Sequence, residues 1–150
     1  CLKEADMAYA DGFLLPVPTK NLTAYRKMSQ QAGKIWMEHG ALDYKECASE
    51  DMTAEGMVST FPKTLKTKSS ETLVFSWIVY ASKAERNRII KLVMADERLA
   101  KMMDPKKSPF DPTKMLYGGF DVIVDMARAS KRAKAKKAPP KKTAKKKKAR

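Results

Sequence analysis

The run Thr72-Leu73-Val74-Phe75-Ser76-Trp77-Ile78-Val79-Tyr80 is almost wholly β-branched or aromatic, and it constrains the fold of this chain more than any other stretch. It reads as a strand. A strand with one wet face alternates between apolar and polar residues, yet here the Leu73, Phe75, Trp77, Val79 set and the Val74, Ile78, Tyr80 set are both largely apolar. Both faces of the sheet that contains it therefore need cover.

The rest of the chain supplies one layer of that cover. Tyr9 to Leu15 predicts a first strand, which the turn signals Pro16 and Pro18 are expected to close. Leu22, Tyr25, Met28, Ala32, Ile35, Trp36 and His39 recur at helical steps, with Gly40 where a C-terminal cap belongs. A second strand is expected over Leu42 to Ala48. Ser49 to Ser70, with Phe61-Pro62 in its middle, is long for a plain connection. After the central run, Ser82-Lys83-Ala84-Glu85 has the spacing of a capping box, and Ile89, Ile90, Val93 and Met94 form the stripe of a second helix. A short helix is expected from Asp96 to Met103, then extended chain through Pro105, Pro109 and Pro112. The last strand is expected from Met115 to Asp125, with Gly118-Gly119 marking a bulge or a close backbone approach. The order β-α-β-β-α-β predicts an α+β, ferredoxin-like sandwich over residues 7–126, with helices on one sheet face. A second copy packed on the other face, closing a dimeric α/β-barrel, is the economical cover, so a homodimer is expected.

Charge divides the chain in two. Of the 31 Lys and Arg residues, 13 lie after Met126, where there is no acid, against 17 Asp and Glu before it. The folded part is thus close to neutral, and residues 127–150, rich in Lys, Ala and Pro without an aromatic, are expected to be a disordered basic tail. Lys131, Arg132, Lys134, Lys136, Lys137, Lys141, Lys142, Lys145, Lys146, Lys147, Lys148 and Arg150 are its candidate nucleic-acid contacts, binding DNA or RNA through phosphates with little sequence preference. A solubilising role or attraction to anionic lipid is the alternative for such a tail. Cys1 and Cys47 are not clustered, which argues against a disulfide framework or a cysteine zinc site and fits a reducing, cytoplasmic setting. No stretch of 18 or more apolar residues predicts a transmembrane helix. Cys1 would suit a processed lipoprotein, but the acidic residues Glu4 and Asp6 and a domain beginning at Met7 favour a start at Met7, and the choice stays open.

Five stretches carry a family resemblance: Tyr9-Ala-Asp-Gly-Phe-Leu-Leu-Pro-Val-Pro18, Gly33-Lys-Ile-Trp-Met-Glu-His-Gly-Ala-Leu-Asp-Tyr44, Val74-Phe-Ser-Trp-Ile-Val-Tyr80, Lys101-Met-Met-Asp-Pro105 and Tyr117-Gly-Gly-Phe120. In that order the chain resembles the YbaA-like bacterial proteins, from about Met7 to Asp125. The resemblance implies a dimeric α/β-barrel and no particular activity. The wider barrel group it points to includes cofactor-free oxygenases and haem binders.

Candidate chemistry in the folded part is sparse. His39 is the single histidine; it is a weak catalytic candidate, and equally a helix-end residue bonding the last carbonyls. Trp36, His39, Tyr44, Trp77 and Tyr80 are the candidate lining of a pocket, although aromatics at such spacings also fill ordinary cores. Asp11, Glu46, Asp121 and Asp125 are strand carboxylates whose partners the sequence leaves open. No glycine phosphate loop, nucleophile elbow or metal-ligand cluster is present, so neither metal nor cofactor is expected. Two functions stand side by side: non-specific nucleic-acid binding by the tail, or a small-molecule binder or cofactor-independent oxygenase-like enzyme with a pocket in the barrel.

Overall fold

A computed structural model describes residues 7–126 apart from positions 54, 57 and 58. The fold is α+β. Strands β1 (Tyr9–Pro18), β2 (Asp43–Ala48), β3 (Glu71–Tyr80) and β4 (Leu116–Asp121) form one antiparallel sheet in the order β2-β3-β1-β4. Helix α1 (Leu22–His39) joins β1 to β2. A short helix α2 (Phe61–Leu65) lies in the long connection to β3, and α3 (Lys83–Met94) and α4 (Glu97–Met102) lead from β3 toward β4.

The helix ends follow local chemistry. Gly40 adopts φ +116°, and the amide of Ala41 reaches back to the carbonyl of Trp36 at 3.0 Å, closing α1 in the left-handed turn that glycine tolerates. Ser82 Oγ accepts the Glu85 amide at 3.1 Å and caps α3. The Glu85 carboxylate turns to Arg88 instead of returning to Ser82, so only half of the expected box is made. Asp96 caps α4 in the same way through the Arg98 amide.

Two strand boundaries differ from expectation. β1 does not end at Leu15 but runs through both prolines to Pro18. The Thr19 amide bonds the Ser70 carbonyl on the β3 side, and amides alternate along a strand, so the nitrogens of Pro16 and Pro18 face the opposite flank. On that flank β4 pairs no further than Leu14 opposite Leu116, and a missing N–H costs nothing there. β4 ends at Asp121 instead of Asp125, with one further bond from the Val122 amide to the Ala8 carbonyl. Its two glycines mark a close approach and not a bulge. The register with β1 is unbroken, and the Tyr9 ring lies where a side chain on Gly119 would stand.

Helices α1, α3 and α4 cover one sheet face. Ile35, Ala41, Ile78, Tyr80, Ile89, Val93 and Leu99 form one buried cluster, and Leu15, Val17, Tyr25 and Val74 form another, with Phe13 packed against both. Burying each of the larger aliphatic side chains contributes roughly 1.5–3 kcal/mol before conformational entropy is charged. On the other face Phe61 of α2 stacks on Phe75, with ring centroids 6.5 Å apart.

One carboxylate ties the covered side together. Asp11, 1% exposed, accepts the hydroxyl of Tyr80 from β3 at 3.1 Å, Nε of Arg86 from α3 at 3.1 Å, and the hydroxyl of Tyr117 from β4 at 2.9 Å. Arg86 also donates to the Tyr117 hydroxyl and lies between the Tyr9 and Tyr117 rings. Removing one partner of such a buried pair strands the others. Asp11→Ala is expected to lower stability by about 3–5 kcal/mol and Asp11→Asn by less, as read by urea unfolding. A loss below about 1 kcal/mol for Asp11→Ala would show that the network is not a structural anchor.

Candidate functional site

The covered face is not filled. Near the middle of the sheet-helix interface three positions carry small side chains: Ser76 on β3, and Ser29 and Ala32 on α1. They leave a cavity of about 320 Å³ between the two core clusters. Phe13, Leu15 and Ile78 supply its sheet wall, and Tyr25, Met28 and Trp36 its helix wall. The chain from Met102 to Met115 passes along it with Pro105, Ser108 and Phe110, and Phe110 meets the Tyr25 ring edge-on at 5.6 Å. A single 3-10 turn at each of Pro105–Lys107 and Pro112–Lys114 bends that segment, and Asn21 holds it by donating to the Pro109 carbonyl at 3.0 Å.

The polar part of the cavity is a carboxylate held by two phenols. Tyr25 on α1 donates to one oxygen of Glu46 at 2.8 Å, and Tyr44 donates to the other at 2.9 Å. Tyr44 and Glu46 are two apart on β2, so the pleat puts both on the same face. The Tyr44 ring lies so close to α1 that a Cβ on Gly33 would stand 2.8 Å from it, which is why a helix position there is a glycine. Burial, and after it the neighbouring Glu46 charge, push the Tyr25 and Tyr44 hydroxyls far above the usual phenol range. Both are therefore held as donors. The same three residues line a second, larger groove of about 880 Å³ along α1 and β2, toward Arg26, Gln30 and Lys34, so Glu46 belongs to the wall between the two spaces.

Of the residues singled out in the sequence, Trp36 and Tyr44 line the cavity. Tyr80 is fully buried behind it and accepts Trp36 Nε1 at 3.1 Å while donating to Asp11, which joins the cavity wall to the buried network. His39 and Trp77 are not brought there. His39 sits at the end of α1 with Nε2 3.0 Å from Asp96, whose carboxyl is held well below the usual range by Arg98 and then by His39. Trp77 is on the opposite sheet face, where its indole donates to Asp43 at 3.3 Å and its ring contacts Phe75. The tail residues from Lys131 to Arg150 lie outside the described residues. Tyr25 and Phe110 were missed as cavity residues. The available signal was that a tyrosine in a buried helical stripe needs a partner for its hydroxyl, and Glu46 is the carboxylate that shares a face with Tyr44.

Among the described residues no group of three or more His, Cys, Asp or Glu is placed to hold a metal ion, and no helix is long and apolar enough to cross a membrane.

The family described as "Protein of unknown function (DUF1428)" matches residues 8–112. Over 119 residues the chain is 39% identical to a protein of Escherichia coli (strain K12) described as "Uncharacterized protein YbaA", covering 79% of this chain and 99% of that one. A Shigella flexneri protein of the same description matches to the same extent. Among solved structures, a nipsnap family protein with unknown function from Agrobacterium tumefaciens is similar with a TM-score of 0.48 and 12% identity, covering 78% of this chain and 89% of that one.

The buried phenols make stability sensitive to base. Tyr25, Tyr44 and Tyr80 titrate above 10.0, their value in the unfolded chain, so the stability they contribute is complete below about pH 10 and is lost as pH rises beyond it. In an alkaline titration followed by tyrosinate absorbance, these three of the five tyrosines are expected to ionise only together with unfolding. Smooth ionisation of all five near pH 10 with the fold intact would contradict the hydrogen-bonded Tyr25-Glu46-Tyr44 arrangement.

Proposed function

The chain belongs to the family described as "Protein of unknown function (DUF1428)", and we propose that its folded part is a small-molecule-binding module that works as a homodimer. The observation that carries the binding role is the aromatic-walled cavity of about 320 Å³ with the Glu46 carboxylate held on its wall by two phenols. Its volume lies at the low end of the range for ligand sites, and its apolar walls with a few converging polar groups are the usual composition of such sites. The aromatic and apolar side chains that make up most of its lining favour binding over an oxygenase-like reaction.

The homodimer reading is supported by the sheet face that the three helices leave open. Phe75 is 47% exposed, Leu116 51% and Phe120 60%, with Trp77, Val79 and Leu14 between them. The Phe120 ring spreads over Gly12 and Gly118, whose lack of side chains makes a flat shelf. The apolar surface continues into Ile123 and Val124, which are also exposed. A second copy of this chain is the proposed occupant. The β2-β3-β1-β4 order with helices on one face supports the ferredoxin-like reading, in which two such sheets packed face to face close a barrel.

A second reading concerns residues 127–150, and the charge division favours it: 13 positive charges and no acid follow a nearly neutral domain. We propose that this tail holds nucleic acid through phosphates, and that a dimer, carrying two tails, gains avidity.

Indole added to the full chain is expected to raise its melting temperature, and Ala32→Phe, which places a ring in the cavity, to abolish the rise. No rise with the unmodified chain would count against the binding role. Sedimentation of the full chain is expected to give the mass of two protomers and Phe120→Glu the mass of one; a monomeric unmodified chain would overturn the dimer. A chain ending at Met126 is expected to keep the dimer and lose duplex DNA binding. The full chain's affinity should fall against salt with a logarithmic slope of about −5 to −9. Equal DNA affinity with and without the tail would reverse the second reading.

A further inference from the structure

Arg26 and Lys34 lie in the outer groove on the other side of Glu46, and the charges that line the cavity itself are one-sided. Among the described residues that line it, Glu46 and Asp104 are acidic, and the single basic residue, Lys45, has its ammonium bonded to Asp43. Among the described residues no arginine or histidine lines it. Glu46 has no ion-pair partner among the described residues. Its two oxygens take one phenol proton each, which orients the carboxylate without neutralising it, and, because Glu46 is exposed, water completes its solvation. A carboxylate accepts up to four hydrogen bonds, so each oxygen retains a free lone pair.

The same walls present aromatic faces. Phe13, Tyr25, Trp36, Tyr44 and Phe110 surround the space, and aromatic faces attract cations, Trp most strongly. The two phenols that hold Glu46 are themselves part of this cage, so the carboxylate and the rings converge on one volume. An anion entering here would meet like charge and no free cation on the wall, while a neutral molecule would gain nothing from the Glu46 charge, which only a cation can use. Resting on the reading of this cavity as a ligand site, we infer that its ligand is a small organic cation: an amine or quaternary ammonium compound whose charged nitrogen bonds or abuts Glu46 and whose apolar part fills the space beside Trp36 and Phe110.

Three probes of one size and different charge test this on the full chain by titration calorimetry: benzylamine, benzyl alcohol and benzoate. Benzylamine is expected to bind at least about tenfold more tightly than benzyl alcohol, with benzoate weakest. In Glu46→Gln, the advantage of benzylamine over benzyl alcohol is expected to vanish. Equal affinity of benzylamine and benzyl alcohol for the unmodified chain, or unchanged benzylamine affinity in Glu46→Gln, would overturn the cationic assignment and leave the cavity a binding site for neutral molecules. Binding of none of the three would overturn both the assignment and the binding role beneath it. Should Glu46→Gln bind neither benzylamine nor benzyl alcohol, the cavity itself has been lost in the variant, and the comparison on the unmodified chain decides.

Discussion

The fold depends on a charge that has been taken out of water. Asp11 sits in the middle of β1, the strand paired on both sides, and receives bonds from β3, α3 and β4 at once. A buried carboxylate is tolerable only with its partners in place, so the network is cooperative: the register of two strand pairs and the seating of α3 must all be right together. Tyr80 passes this order on to Trp36, and so to the cavity wall. The pocket's back wall is thus tied to the buried carboxylate by hydrogen bonds as well as by packing.

The cavity has a different origin. In the strand run from Thr72 to Tyr80 the inward position between Val74 and Ile78 is Ser76, and across from it α1 places Ser29 and Ala32 where its neighbours are larger. Substituting small residues at three facing points divides the core into two clusters without interrupting the sheet. The space is thus encoded by what is absent. A hole of this kind lined by apolar side chains costs dispersion contacts.

Much of the fold was legible because periodicity and caps are local. The apolar β3 run, the α1 stripe ending at Gly40 and the Ser82 cap all appear where the residues put them. The end of β1 was not, because whether Pro16 may stay in a strand depends on which flank its nitrogen faces and on where β4 stops, and both are facts of sheet assembly. The site was legible only in part. Trp36 and Tyr44 share a side of the sheet, whereas Trp77, an equally conspicuous aromatic, falls on the other by strand parity, and His39 is drawn to Asp96 across 57 residues of sequence. The pairing of Tyr25 with Glu46 likewise needs α1 and β2 to be docked before either residue has a meaning.

The prolines of β1 carry one more implication. From Leu15 onward one flank of this strand has lost its neighbour, and an unpaired flank inside a sheet would ordinarily invite a foreign strand to complete the ladder. Pro16 and Pro18 turn their rings, not amide protons, toward that notch. An intruding strand would find half of the rungs missing and gain little by entering. The notch is in effect a guarded gap: the sheet can be short on one side without offering a full ladder to a foreign strand.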